Sequence, residues 1–234
     1  MSAAQNIFES IGGEFVLPQY KLVEKLQVVK AFIFDWDGVF NSGEKQANGS
    51  SSFNEVDSMG TNLLRFSYFL QHKKLPLTAI ISGEKNETAF FFSKREKFHS
   101  SYFKIKDKII GINHFCAEHG IKPHEICYFF DDVLDLSVAR VAGVRIFIPR
   151  KVTIAFTNYV KQNHLADYKT GGTSDSYAIR EACEMIMSLN GQFDRVITSR
   201  TNYDDNYKQY IAARNDTPTN FYTLSNEEIS KVEL

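Results

Sequence analysis

Phe34-Asp35-Trp36-Asp37-Gly38-Val39-Phe40 stands directly behind the short apolar run Ala31–Phe34. The run is too short for a helix and rich in aromatic and β-branched residues, so it reads as a buried strand. Behind it come two carboxylates at i and i+2, then a glycine that opens a turn. Three more runs share the strand character: Leu77–Ile81, Ile126–Phe130 and Val144–Ile148. Continuous rather than alternating apolar runs suit a parallel sheet covered on both faces. Between them lie helical patterns. Val56–Gln71 places Met59, Leu63, Leu64 and Phe66 at helical spacing, and Asp107–His119 does the same with Ile109, Ile110, Ile112 and Phe115 before Gly120. Asp132–Ala142 ends at Gly143, and Ser174–Leu189 carries Ile179, Ala182, Cys183, Ile186 and Met187. Such alternation predicts the α/β class: a doubly wound, Rossmann-like parallel sheet with right-handed crossovers.

Composition narrows the functional classes. The chain has 234 residues, 27 Lys+Arg against 28 Asp+Glu, 43% hydrophobic and 24% charged residues. A chain of this length buries roughly 70% of its unfolded surface and needs no disulfide or structural metal to fold. Balanced charge argues against a strongly basic nucleic-acid binder and an acidic disordered chain. No apolar run approaches the roughly 20 residues of a membrane span. The start, MSAAQNIFESIGG, lacks the basic and apolar regions of a secretory signal. Cys116, Cys127 and Cys183 match no zinc spacing and are expected reduced and buried. These features place the protein in the cytoplasm. Two segments fall outside the strand–helix rhythm. Residues 41–52 are polar and read as a loop or exposed hairpin; residues 192–234 are polar, Asn- and Tyr-rich, and show no strand signal, with one helix expected over Tyr203–Ala213.

Four features carry chemistry. In an open α/β sheet, ligands bind outside the carboxyl ends of the strands, where Asp35 and Asp37 fall. The bland account is a turn, since Asp-Gly is a favoured turn dipeptide. Phe130-Asp131-Asp132-Val133-Leu134-Asp135 puts three more acids at a second strand end. Each alone reads as a helix cap; together with Asp35 and Asp37 they form an oxygen donor set suited to Mg²⁺. Ser82-Gly83, after Leu77–Ile81, offers a hydroxyl and free helix amides to an anion. Lys108, in Lys104-Ile105-Lys106-Asp107-Lys108, would neutralise phosphate charge, or else belong to a solvated face beside an edge strand.

The order of the set is more specific than any member. Asp35-Trp36-Asp37-Gly38-Val39-Phe40, Phe53-Asn54-Glu55-Val56-Asp57 with Gly60, Ile81-Ser82-Gly83, Lys106-Asp107-Lys108 and Asp131-Asp132-Val133-Leu134-Asp135 follow in sequence. Ala166-Asp167-Tyr168-Lys169-Thr170-Gly171-Gly172 and Ala178-Ile179-Arg180-Glu181 complete it. This pattern resembles the haloacid dehalogenase (HAD) superfamily. Within it, the chain resembles the capless branch of 3-deoxy-D-manno-octulosonate 8-phosphate phosphatases, relatives of the acylneuraminate 9-phosphate phosphatases. The resemblance spans residues 30–189. It implies a phosphatase domain over 30–190 with a hairpin insert at 41–54, an N-terminal extension (1–29) and a polar C-terminal extension (191–234).

The resemblance also implies roles. Asp35 would be the nucleophile that takes the phosphoryl group, and Asp37 the general acid and then base. Asp35, the main-chain carbonyl of Asp37, and Asp131 would hold Mg²⁺, with Asp132 or Asp135 supporting. Ser82 and Lys108 would bind phosphoryl oxygens. The substrate would be a phosphorylated sugar acid of eight or nine carbons, as in lipopolysaccharide biosynthesis. Gly38 and Ser82 are separated by 43 residues, and Ser82 and Asp131 by 48, so neither gap houses a lid of even ~50 residues besides its own sheet elements. Relatives close such open sites by forming a homotetramer through the hairpin. For the stretch Thr173–Tyr177, helix capping by Ser174 or Asp175 is the preferred account. Two positions depart from the family. Phe130 replaces a glycine ahead of the paired aspartates and would set a large ring at the site. Asn41-Ser42 replaces Thr-Asp and reads as substrate tuning. Two other readings follow: a catalytically weak homologue that binds sugar phosphates or a partner, motivated by Phe130, and a nucleic-acid-end phosphatase. The latter rests on residues 85–108, with seven Lys/Arg against three Asp/Glu among aromatics.

Overall fold

The computed structural model describes residues 3–225 and 228–234. The chain opens with α1 (Ala3–Ser10), β1 (Glu14–Phe15) and α2 (Gln19–Leu26). The central alternation follows: β2 (Ala31–Phe34), α3 (Glu55–His72), β3 (Leu77–Ile81), α4 (Glu87–Glu96), β4 (Ser100–Phe103), α5 (Lys108–His119) and β5 (Ile126–Phe130). Then come α6 (Leu136–Ala139), β6 (Val144–Phe147), α7 (Ile154–Gln162), β7 (Tyr168–Lys169) and α8 (Ala178–Leu189). The chain ends with α9 (Phe193–Asn202), α10 (Asp205–Asn215), β8 (Asn220–Ser225) and β9 (Glu228–Val232).

The strands make one sheet in the order β1-β7-β6-β5-β2-β3-β4-β8-β9. All neighbours from β7 to β8 are parallel, and only the outermost pairs, β1 with β7 and β8 with β9, are antiparallel. The doubly wound α/β sheet is therefore as expected. From β2 the chain runs outward to β3 and β4, then returns to β5 on the other side of β2. This reversal puts the topological switch point between β2 and β5. Between β2 and β5 the chain holds only sheet elements, their helices and loops, so the described residues contain no separate cap domain.

Two apolar layers cover the sheet. Phe34 and Phe129 point to one face and stack at 4.4 Å, joined by Leu63 and Phe66 of α3 and Ile179 and Met187 of α8. Ile33, Tyr128 and Phe130 point to the other, against Ile112 and Phe115 of α5. Burying each such side chain contributes roughly 1.5–3 kcal/mol. Gly60 lets α3 and α8 approach closely: a Cβ there would stand 3.0 Å from Arg180 Cα. All three cysteines are free and buried. No helix of the described residues is long and apolar enough to cross a membrane.

Several expectations need correction. The segment 192–234 carries two strands and a second helix, α9, besides the expected helix, which is α10. β8 pairs parallel to β4, so β4 is no edge, and Lys104 and Lys106 lie beyond its end in a loop. Tyr222 of β8 stacks on Tyr102 at 4.8 Å, and Phe221 meets Phe90 edge-on at 5.5 Å. β1 joins the opposite end of the sheet, so both terminal segments build on it. The hairpin expected over 41–54 has no paired strands: Gln46 N–H donates to Ser50 O and Gly49 N–H to Gln46 O, closing a tight turn in a loop. The helix expected over Asp132–Ala142 is a 3₁₀ turn at Val133–Asp135 and the single turn α6.

Candidate active site

Parallel register gathers the chemistry. Phe34 lies beside Phe129 on one side and Ile80 on the other. The residues that follow each strand therefore emerge side by side: Asp35 after β2, Ser82 after β3 and Asp131 after β5. Lys108 starts α5 and points into the same end of the sheet. All four are buried.

Lys108 Nζ bonds Asp35 Oδ1 at 2.6 Å and Asp135 Oδ1 at 2.5 Å. Tyr128 OH donates to the same Asp135 oxygen at 2.5 Å, and the Asp132 amide donates to Asp135 Oδ2 at 3.2 Å. Asp135 thus positions Lys108 beside Asp35. Arg150 enters from the end of β6: its Nε donates to Asp131 Oδ2 at 2.6 Å, and its Nη2 pairs with the same oxygen. Gly38 stands over this pair with φ +87°, and a Cβ there would overlap both Asp131 and Arg150. Only glycine has both the backbone freedom and the space.

Asp37 has partners of its own. Lys45 Nζ holds its Oδ2 at 2.5 Å, and the Ser51 hydroxyl donates to Oδ1. Ser51 Oγ in turn accepts from Asn86 Nδ2 at 2.7 Å, and Asn86 caps α4 by accepting from Thr88 N and Ala89 N. A rigid helix end therefore fixes the carboxylate of Asp37 through one hydroxyl.

Charge is unbalanced at the bottom of the site. Burial pushes the Asp35 carboxyl up to about 6, with Lys108 opposing the rise and Asp135 adding to it. Burial, with Asp35 and Asp135 nearby, pushes Asp131 up to about 9 against the pull of Arg150. Burial also works against the charge of Lys108, but Asp135 and Asp35 outweigh it and hold the ammonium above the usual lysine range. Carboxylate oxygens of Asp35, Asp131 and Asp135 lie within 4.8 Å of one another. Asp131 Oδ1 is buried with no hydrogen-bond partner among the described residues. An orphaned acceptor inside an all-oxygen cluster with surplus negative charge fits a hard divalent cation such as Mg²⁺.

The expected set divides accordingly. Asp35, Asp37, Ser82, Lys108, Asp132 and Asp135 line one cavity of about 140 Å³. The carboxylates that converge are Asp35, Asp131 and Asp135. Asp132 is half exposed, bonds the Val133 amide, and lies 3.9 Å from Arg150. Phe130 is not in the cavity. Its ring is fully buried in the sheet layer beneath, parallel to Tyr128 at 6.0 Å and 5.3 Å from Phe147. It fills core, which corrects the expectation that it reshapes the site. Capping by Ser174 or Asp175 is also absent: Tyr177 takes φ 63° and α8 begins at Ala178. Glu181 does the anchoring instead, accepting from Gly171 N at 2.9 Å, Gly172 N at 2.8 Å and Tyr168 OH at 2.6 Å. Asp57 accepts from Asn54 Nδ2 and from the Arg180 amide, tying α3 to α8.

Sequence reading missed Arg150, Lys45, Ser51 and Asn86. Arg150 had a signal, since it is a cation just past the end of the fourth apolar run. The others had none, because their approach to Asp37 depends on the path of the 41–52 loop.

No family model matches the sequence. Solved structures do match. A Legionella pneumophila protein assigned to subfamily III A of the HAD superfamily of hydrolases is 24% identical; the match covers 78% of this chain and 95% of that one, with a TM-score of 0.64. The chain has the HAD fold. Other structures with this fold include 3-deoxy-D-manno-octulosonate 8-phosphate phosphatases. That of Moraxella catarrhalis, in complex with magnesium, phosphate and the sugar acid, is 24% identical over 77% of this chain and 98% of its own, TM-score 0.64. The cobalt-bound Haemophilus influenzae enzyme is 20% identical over 77% and 99%, TM-score 0.62. On the HAD fold, the 30–189 resemblance and the strand-end cluster coincide.

Proposed function

We propose that this protein is a Mg²⁺-dependent phosphomonoester hydrolase acting on a sugar-acid phosphate, 3-deoxy-D-manno-octulosonate 8-phosphate or a related nine-carbon ester. The observation that carries this reading is Asp35: a buried carboxylate held by Lys108 at 2.6 Å, sharing a cavity with Ser82 and Asp37. A carboxylate oxygen of Asp35 attacks phosphorus and the ester P–O bond breaks. Asp37 gives its proton to the leaving alkoxide. A water then attacks the aspartyl-phosphate, its proton passes to Asp37, and the P–O bond to Asp35 breaks to release phosphate. Ser82 and Lys108 bind the phosphoryl oxygens throughout, which lets a dianion approach an anionic nucleophile. Asp35, the Asp37 carbonyl and Asp131 would hold the metal, with Asp135 beside them. When bound, Mg²⁺ supplies positive charge to the phosphoryl group. The homotetramer of the resembling family and a cytoplasmic location belong to the same reading.

The test is phosphate release with Mg²⁺ over eight- and nine-carbon sugar-acid phosphates, smaller sugar phosphates and nucleotides. Turnover is expected for the sugar-acid esters and abolished by Asp35→Asn and Asp37→Asn in folded protein. A wild-type rate in either variant would refute the assignment.

A further inference from the structure

Lys108 and Arg150 both answer the clustered carboxylates, and they are held differently. Lys108 Nζ is locked between Asp35 Oδ1 and Asp135 Oδ1, its side chain 3% exposed. Arg150 reaches in from the end of β6 with its side chain 35% exposed, and both of its bonds to Asp131 fall on one oxygen, Oδ2. The other oxygen, Oδ1, is the buried acceptor left for a cation.

Two positive charges on one buried carboxylate oppose each other. A divalent ion at Oδ1 and a guanidinium at Oδ2 would repel strongly, because water and salt screen little at that depth. The partner able to yield is the flexible, part-exposed Arg150. It also has places to go. Asp132 Oδ2 lies 3.9 Å from its Nη2. Arg150 lines the same cavity, of about 140 Å³, as Asp35, Ser82 and Lys108. The phosphoryl group would lie there, and a guanidinium offers its oxygens a fork of paired N–H donors. Gly38 leaves the side chain room, since a Cβ at that position would overlap Arg150 Nη2.

We propose that Arg150 and the divalent cation compete for Asp131, and that the displaced guanidinium becomes a ligand of the phosphoryl group in the adjoining cavity. The inference rests on the phosphatase reading above and adds a coupling between cation and phosphate that runs through one side chain. A cation binding alone displaces Arg150 with no anion to receive it, and phosphate supplies that anion. By linkage, each ligand then tightens the other by the same factor.

Calorimetric titration tests this with Mg²⁺ alone, inorganic phosphate alone, and phosphate at saturating Mg²⁺. Arg150→Met should bind Mg²⁺ alone about tenfold more tightly than wild type, a coupling of ordinary size. It should bind phosphate at saturating Mg²⁺ about tenfold more weakly, the worth of a hydrogen bond between charged groups. Phosphate alone should bind both proteins equally. Arg150→Lys, which keeps a cation beside Asp131, should return the Mg²⁺ affinity toward wild type. A merely structural role would weaken both ligands together. Mg²⁺ binding that is unchanged or weaker in Arg150→Met overturns the competition, and unchanged phosphate affinity at saturating Mg²⁺ overturns the role as ligand. Ester turnover by wild type separates the two failures. Where it exceeds the Asp35→Asn control, only the role of Arg150 falls; where it does not, the phosphatase reading falls.

Discussion

Phe130→Gly places at position 130 the residue that the resembling family carries before its paired aspartates. If the ring crowded the site, the substitution would open it at little cost. The structure gives the opposite expectation. Phe130 is 0% exposed and packs between Tyr128 and Phe147 on the α5 face of the sheet. Removing a buried phenyl ring costs roughly 3–5 kcal/mol, transfer and cavity terms together. Glycine within a strand adds roughly 0.5–1 kcal/mol over alanine. The expected loss is about 4–6 kcal/mol, a large share of the roughly 5–15 kcal/mol that stabilises a domain. At this size each kcal/mol moves the melting temperature by roughly 2–4 °C, so the midpoint should fall by about 10–20 °C. Urea unfolding measures it directly, followed by the fluorescence of Trp36, the sole tryptophan, which is fully buried. Phe130→Ala should account for most of the loss and Phe130→Leu for little. A loss below about 2 kcal/mol in the glycine variant would show that the ring is not core, against the expected cavity cost.

Three shorter predictions follow. Tyr128→Phe keeps the ring stack but deletes the donor to Asp135, so stability should fall by roughly 1.5–3 kcal/mol, the worth of a bond to a charged group; an unchanged urea midpoint would contradict this. Asp35 and Asp131 are raised to about 6 and about 9, so without metal their stabilising protonated forms are fully present below the ordinary carboxyl range and lost as pH rises toward 9. Thermal unfolding should therefore show Mg²⁺ stabilising the protein more at pH 8 than at pH 5, with Asp131→Asn removing most of the difference; an equal shift at both pH values would speak against a cation in this cluster. Ser51→Ala frees Asp37 from the Asn86-capped helix end, and kcat should drop about 10–100-fold with KM nearly unchanged, as for a misplaced reacting group; wild-type kcat would mean that Ser51 does not position Asp37.

Residues 31–34, 77–81, 126–130 and 144–148 were legible as strands because each is a short, largely apolar run whose side chains are buried on both faces, with only Thr78 and Arg145 as polar members. The gathering of Asp35, Ser82, Lys108 and Asp131 was legible because a parallel sheet forces whatever follows its strands to one end. β8, in contrast, was hidden: it has the polar sequence Asn-Phe-Tyr-Thr-Leu-Ser, because a peripheral strand buries only the residues that meet its neighbours. Lys45 and Ser51 became partners of Asp37, and Asn86 of Ser51, only when the 41–52 loop folded across the strand ends. The depth of Phe130 was likewise undecidable in one dimension. Strand alternation sends Phe129 and Phe130 to opposite faces, and only the packed helices make both of those faces core. The order of residues along the chain set the chemistry on offer and the end of the sheet that presents it. Tertiary structure decided which carboxylates share space, which cations balance them, and which cavity lies beside them, because those depend on contacts between elements far apart along the chain.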